Sequence, residues 1–248
     1  MRMRLMLGLT AILAAAPVLL LAADDVLFYA PFDGSAEAQV QRGETGVTVA
    51  VPPEFVKGFK GKALVTAHTR SAVYPAAGNI MLDEGTIVLW VMPMDWTGDQ
   101  ELFHHFFRVL AEPVPDRPKA RVFDLILYRY LDTPAVMAYG LAGELACDGI
   151  RTVPMDESWA PGKWHQIAFT WDKEGATLYV DGVGSHRKYL QGPPDTMNAR
   201  TFLVGGAYFM PNDTRTAVDE LTIYRRKYAG EEIKQMYKQD ILESLMRK

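Results

Sequence analysis

The sequence predicts an all-β fold, a two-sheet antiparallel sandwich with one short C-terminal helix. Three observations lead there. Period-two runs rich in β-branched and aromatic residues recur along the chain, each bounded by Gly, Pro, Asn or Asp clusters. No long helical period appears before Gly230. No internal repeat or low-complexity linker divides the chain, so each sheet must find cover for its apolar face within one domain, and a second sheet supplies it.

The chain opens outside that domain. "MRMR" is a basic start, followed by the uncharged run Leu5–Ala23 and then by Asp24 and Asp25. A basic end, an apolar core and small residues at a polar junction mark residues 1–23 as an export signal, with cleavage after Ala22 or Ala23. The run is also long enough to remain as a single membrane anchor. Pro17 and the alanines at the junction favour cleavage, and no cysteine stands there for a lipid anchor. Residues 24–248 then form the domain, secreted, periplasmic or on the cell surface.

Losing Arg2 and Arg4 with the signal takes the net charge from −4 to −6. A mildly acidic chain without a basic run argues against nucleic acid as a partner. Cys147 is the only cysteine, so no intrachain disulfide forms and stability must rest on a sizeable core, helped by any bound ion.

Strand signals follow in order at Val26–Phe32, Gly46–Val51, Gly85–Pro93, Val122–Tyr130 and Ala135–Gly143. Leu110–Arg121, "LAEPVPDRPKAR", reads as a loop joining strands. In Trp164–Trp171 the residues Ile167, Phe169 and Trp171 share one face with His165, while Trp164, Gln166, Ala168 and Thr170 share the other. Asp172–Gly175 turns the chain, Ala176–Val180 returns it, and Asp181–Gly182 is a two-residue hairpin turn. Asp172 and Asp181 therefore lie roughly 17 Å apart, at opposite ends of a strand of about five residues, too far for a catalytic pair. Phe202–Gly206 and Ala217–Arg225 complete the strands. The helix at 230–247 places Ile233, Met236, Tyr237, Ile241 and Leu245 on one face, with acids in its first turn and bases in its last.

"GKWHQIAFTWDKEGATLYVDGV" (Gly162–Val183) resembles the central signature of laminin-G-like, concanavalin A-type jelly-roll domains. Four further blocks resemble that family in the expected order: "FYAPFDGS" (Phe28–Ser35), "GFKGKALV" (Gly58–Val65), "GTIVLWVMPMDW" (Gly85–Trp96) and "AVDELTIYRRKYAGEEIKQMY" (Ala217–Tyr237). The segment Glu101–Arg151 matches none of them. The resemblance implies a jelly-roll sandwich. It also implies a structural calcium ion where the first and last strands meet, held by Asp33, Asp219 and a backbone carbonyl near Gly61. Hard oxygen donors from turns suit that ion. The residues alone leave a second reading open, in which Asp33 caps a turn and Asp219 bonds neighbouring amides.

Other chemistry finds little support. A retaining glycosidase needs two carboxylates about 5–5.5 Å apart, and no strand offers acids at alternate positions among apolar residues. Asp219 and Glu220 are adjacent and so point to opposite faces. His104 and His105 are neighbours, and His68, His165 and His186 are isolated, so no zinc set is legible. No nucleophile motif or phosphate loop occurs. Sugar recognition instead calls for flat aromatic rings on rim loops. Trp96, Trp159, Tyr208 and Phe209 are the candidates, with packing beneath long loops as their other reading. Asn212–Thr214 fits an N-glycosylation pattern.

By fold-level analogy the expected function is an exported, non-catalytic module binding extracellular carbohydrate or a surface protein. Membrane contact is expected only if the N-terminal segment stays uncleaved. Two alternatives remain: a polysaccharide hydrolase or lyase whose site lies in Glu101–Arg151, and a structural or adhesion component of the cell envelope.

Overall fold

The computed structural model describes residues 23–81, 83–98, 102, 104–111, 123–130, 133–142, 146–151, 158–188, 199–206 and 213–247. Residues 1–22 of the export segment, Tyr208, Phe209 and Asn212 lie outside these residues.

The strands run, in chain order, β1 (Val26–Ala30), β2 (Val40–Gln41), β3 (Thr48–Val49), β4 (Phe55–Lys57), β5 (Lys62–Thr66), β6 (Ser71–Pro75), β7 (Gly85–Pro93) and β8 (His104–Ala111). They continue with β9 (Phe123–Tyr130), β10 (Thr133–Ala142), β11 (Ala146–Arg151), β12 (His165–Trp171), β13 (Gly175–Val180), β14 (Val183–Lys188), β15 (Ala199–Gly205) and β16 (Thr216–Tyr224). Helix α1 (Gly230–Met246) closes the chain. The first sheet has the order β14-β13-β12-β7-β16-β1-β2, with β5 on β16 and β4 on β5; the second has the order β11-β10-β9-β8-β15-β6-β3. The strand pairs are antiparallel. This is the predicted two-sheet sandwich with a single C-terminal helix.

The core lies between the sheets because alternate residues of facing strands meet there. Phe28 of the first sheet packs edge-on against Tyr74 and Phe202 of the second, with ring centroids 4.8 and 4.9 Å apart. Ile167, Phe169 and Trp171 enter this core, as their alternation predicts. Ala168 turns to the outer face, where it joins Val88, Tyr179 and Tyr224 beneath Ile233 and Met236 of α1. Strand β12 is thus buried on both faces, by a sheet on one side and a helix on the other.

The helix start is tied down locally. Glu232 accepts the Ala229 N–H at 2.8 Å and pairs with Arg226, which also reaches Asp25. The far end departs from expectation. Leu245 is 58% exposed, and Leu242 and Met246 are exposed beside it. The helix stops at Met246, which leaves no basic residue in its last turn. The segment 101–151 supplies β8, β9, β10 and β11, four of the seven strands of the second sheet. Of the loop expected at Leu110–Arg121, Leu110 and Ala111 end β8 and the rest lies outside the described residues.

Candidate functional site

Strand β16 pairs with β7 regularly except between Asp219 and Thr222, where a bulge places Glu220 at φ 52°. A bulge re-aims the side chains beside it. The alternation that would send Asp219 and Glu220 to opposite faces is broken, and both reach the loop 58–62. Asp219 Oδ2 accepts the Lys60 N–H at 2.9 Å, and Glu220 Oε2 lies 3.7 Å from Lys60 Nζ. Across the same loop, Asp33 Oδ1 accepts the Lys62 N–H at 2.8 Å. Two glycines make room for these carboxyl groups. A Cβ on Gly58 would lie 2.6 Å from Asp219 Oδ2, and one on Gly61 would lie 1.8 Å from Asp33 Oδ1. Gly61 also sits at φ +53°, a conformation that favours glycine. The fold therefore gathers Asp33, Gly61 and Asp219 around one turn.

Asp219 is fully buried. Burial pushes its carboxyl up to about 8, the N–H bonds from Lys60 and Glu220 oppose this, and the nearby charges of Glu220 and Asp33 add to it. Glu220 is raised as well, by burial first, against the pull of Lys60 and of the Tyr29 hydroxyl that donates to it. A buried carboxyl with a second acid in electrostatic reach fits a hard cation in charge and donor type. Among the described residues no three Asp, Glu, His or Cys side chains converge as a metal cluster. Backbone and water oxygens would have to complete such a shell.

Lys60 ties this corner to the helix. Its ammonium contacts Asp240 at 2.8 Å and Glu243 at 3.3 Å. Burial works against that charge, but Asp240, Glu220 and Glu243 together hold its pKa above the ordinary value. Asp240 Oδ2 in turn accepts the Trp90 indole N–H and the Gln166 amide, both at 3.1 Å.

His165 has a partner that its isolation in sequence concealed. Its Nδ1 lies 2.7 Å from Asp181 Oδ2 and its Nε2 lies 3.0 Å from the Ser158 carbonyl. Asp181 Oδ1 also accepts the Gln166 N–H. Both ring nitrogens are occupied, which leaves neither open to take a proton from a substrate. The pair fastens a hairpin.

Trp96 and Trp159 are 1% and 3% exposed, which corrects their reading as rim platforms. Trp96 stacks on His104 at 3.7 Å and Trp159 on His165 at 4.0 Å, and the Trp96 indole donates to Thr216 Oγ1. The large apolar area of these rings is better covered than displayed. Burial, with a smaller contribution from His105, pushes His104 down to about 3. Half-buried aromatic rings gather elsewhere. Phe59 stacks on buried Trp90 at 3.7 Å, Trp164 meets Phe59 edge-on at 6.2 Å, and Tyr237 lies 5.8 Å from Trp90. The outward parity of Trp164 was the sequence signal for this cluster. Nothing local showed that Phe59 and Tyr237 would join it.

A family profile described as the concanavalin A-like lectin/glucanases superfamily, Laminin_G_3, matches residues 67–234. No curated protein sequence matches the chain. Among solved structures, domain 4 of AbnA, an extracellular GH43 arabinanase of Geobacillus stearothermophilus in complex with arabinotriose, is similar with TM-score 0.66. It is 16% identical over 86% of this chain and 98% of that one. The receptor-binding domain of botulinum neurotoxin type G has TM-score 0.65 and 11% identity over 86% of this chain and 51% of that one. The ligand-binding domain of botulinum neurotoxin serotype D, in complex with N-acetylneuraminic acid, has TM-score 0.65 and 10% identity over 88% and 52%. The chain spans about half the length of these toxin domains. At such identities the likeness establishes the shared fold.

Proposed function

The chain belongs to the concanavalin A-like lectin/glucanases superfamily, and from that premise we propose that it is an exported, non-catalytic module binding extracellular carbohydrate or a surface protein. The observation that carries this reading is the engagement, among the described residues, of the groups best suited to acid–base chemistry. His165 and Asp181 hold each other and the backbone, and Asp219 and Asp33 each accept a loop amide. The basic start and apolar run of residues 1–23 support export. Structures of the same fold that contain arabinotriose or N-acetylneuraminic acid support a glycan as the ligand class.

Asp33, Asp219 and the Gly61 carbonyl would hold a calcium ion. Its charge would keep Asp219 ionised and pin the loop 58–62 to β16. The chain's own part is to present two carboxylates on a glycine turn and to link that turn, through Lys60, to α1.

A glycan-array screen of the protein, with and without a chelator, tests the reading. Retention of a defined set of glycans is expected. Retention of none, together with hydrolysis of any, would overturn it.

A further inference from the structure

Helix α1 covers the outer face of the first sheet only in part. Trp90 of β7 and Gln166 of β12 are register partners on that face, and Trp164 lies two residues before Gln166 with the same parity. Asp240 of α1 caps the Trp90 and Gln166 N–H groups. Phe59 lies flat on Trp90, and Trp164 stands at the edge of Phe59. Tyr237 flanks the other side, with the Asp181–Gly182 turn against it: a Cβ on Gly182 would lie 3.5 Å from its ring. Phe59, Trp164 and Tyr237 are all half-buried, so each keeps part of its surface open to solvent.

We propose that Phe59, Trp164 and Tyr237 form an aromatic patch that binds a neutral glycan chain. This rests on the glycan reading above and names its site. Three features of the patch select that occupant. Aromatic rings with open surface offer the apolar platform against which the C–H face of a sugar packs, with a few polar groups fixing its orientation. Those groups are acceptors: Asp181 and Glu243 carry side chains 31% and 33% exposed, and a carboxylate takes hydroxyl donors at both oxygens.

The local charge sets the class of sugar. Glu220, Asp240 and Glu243 hold the ammonium of Lys60, Asp181 lies at the turn against Tyr237, and Lys234 and Arg247 stand beside them. An anionic uronate or sulfated sugar would bring a second negative charge against the part-exposed carboxylates of Asp181 and Glu243, whereas neutral hydroxyls donate to them. An independent observation lies in the floor. The Gln166 amide nitrogen is committed to Asp240, a carboxylate that only accepts, and this fixes the other end of the amide as an acceptor. That Oε1 is buried and has no hydrogen-bond partner. Leaving a buried acceptor unpaired is costly, and a sugar hydroxyl, or a water carried with it, offers the missing donor.

Isothermal titration calorimetry of the protein against neutral arabino-, xylo- and cello-oligosaccharides, with oligogalacturonide as the charged comparison, tests the site. At least one neutral series is expected to bind and the uronate not to. Phe59→Ala and Trp164→Ala should each lower affinity at least tenfold, while Trp164→Phe keeps most of it and loses the ligand-induced change in tryptophan fluorescence. Circular dichroism checks that each variant is folded, and Trp164→Phe preserves the test if the alanine variant is not. Neutral glycan binding with affinities within twofold in all three variants would overturn the site and leave the glycan reading standing. Tighter binding of the uronate would overturn the assigned sugar class. Binding of no glycan would overturn the site and the glycan reading together.

Discussion

His165 and Asp181 lie sixteen residues apart and are joined by a 2.7 Å contact between Nδ1 and Oδ2. Asp181, at φ 51°, and Gly182, at φ 76°, form the tight turn that reverses β13 into β14. That turn sets the aspartate beside the first residues of β12, where it also takes the Gln166 N–H. The Trp-His start and the Val-Asp-Gly end of the motif are thus two halves of one fastening.

Asp181→Ala removes an acceptor from two donors on largely buried residues and places alanine at positive φ. A loss of about 2–4 kcal/mol is expected. Asp181→Asn keeps a residue tolerant of that backbone and should cost less. Urea unfolding of the two variants against the parent measures the difference, and equal losses would count against the fastening.

Trp96 is a core residue, so Trp96→Ala should cost about 3–5 kcal/mol. Thr216→Val leaves its indole N–H unpaired and should cost about 1–3 kcal/mol. Neither change should alter the glycan affinity of the protein that remains folded. A stable Trp96→Ala protein that had lost glycan binding would restore the rim-platform reading.

Much of this architecture was legible in the residues. The parity of Ile167, Phe169 and Trp171 against Ala168 located both faces of β12, and the Asp-Gly turn was visible as such. What escaped detection depended on the third dimension. Trp96 and Trp159 sit in loop-like sequence, and burial at the sandwich end became visible only once His104 and His165 were stacked on them. The bulge after Asp219 is a backbone event at a non-glycine residue, with no signature in the side chains. Asp33, Gly61 and Asp219 were placed together by family resemblance, whereas the role of Lys60 as the link to α1 needed the helix in position.

His104 is buried and is pushed down from 6.5 to about 3. The unfolded chain therefore binds more protons than the folded one between those values. The contribution is complete above about pH 6.5 and is lost as pH falls toward 3, at up to about 1.4 kcal/mol per pH unit. His104→Gln, which cannot titrate, should flatten the acid limb of a stability–pH curve. An unchanged slope would show that His104 is protonated in the fold.

Calcium at 100 times its dissociation constant should stabilise the protein by about 2.7 kcal/mol. For a chain of this size that raises Tm by roughly 5–11 °C, at about 2–4 °C per kcal/mol. Asp33→Asn and Asp219→Asn should abolish the shift. A melt insensitive to both calcium and chelator would remove the ion from the corner.

The most direct test of a module that binds without catalysis follows the ligand itself. The glycan that binds most tightly should be incubated with the protein at saturating concentration and its length distribution and reducing ends measured over time by mass spectrometry. An unchanged glycan, recovered whole from the complex, is the expected result. Shorter chains or new unsaturated ends, made by the parent protein at a rate above the protein-free control, would contradict it.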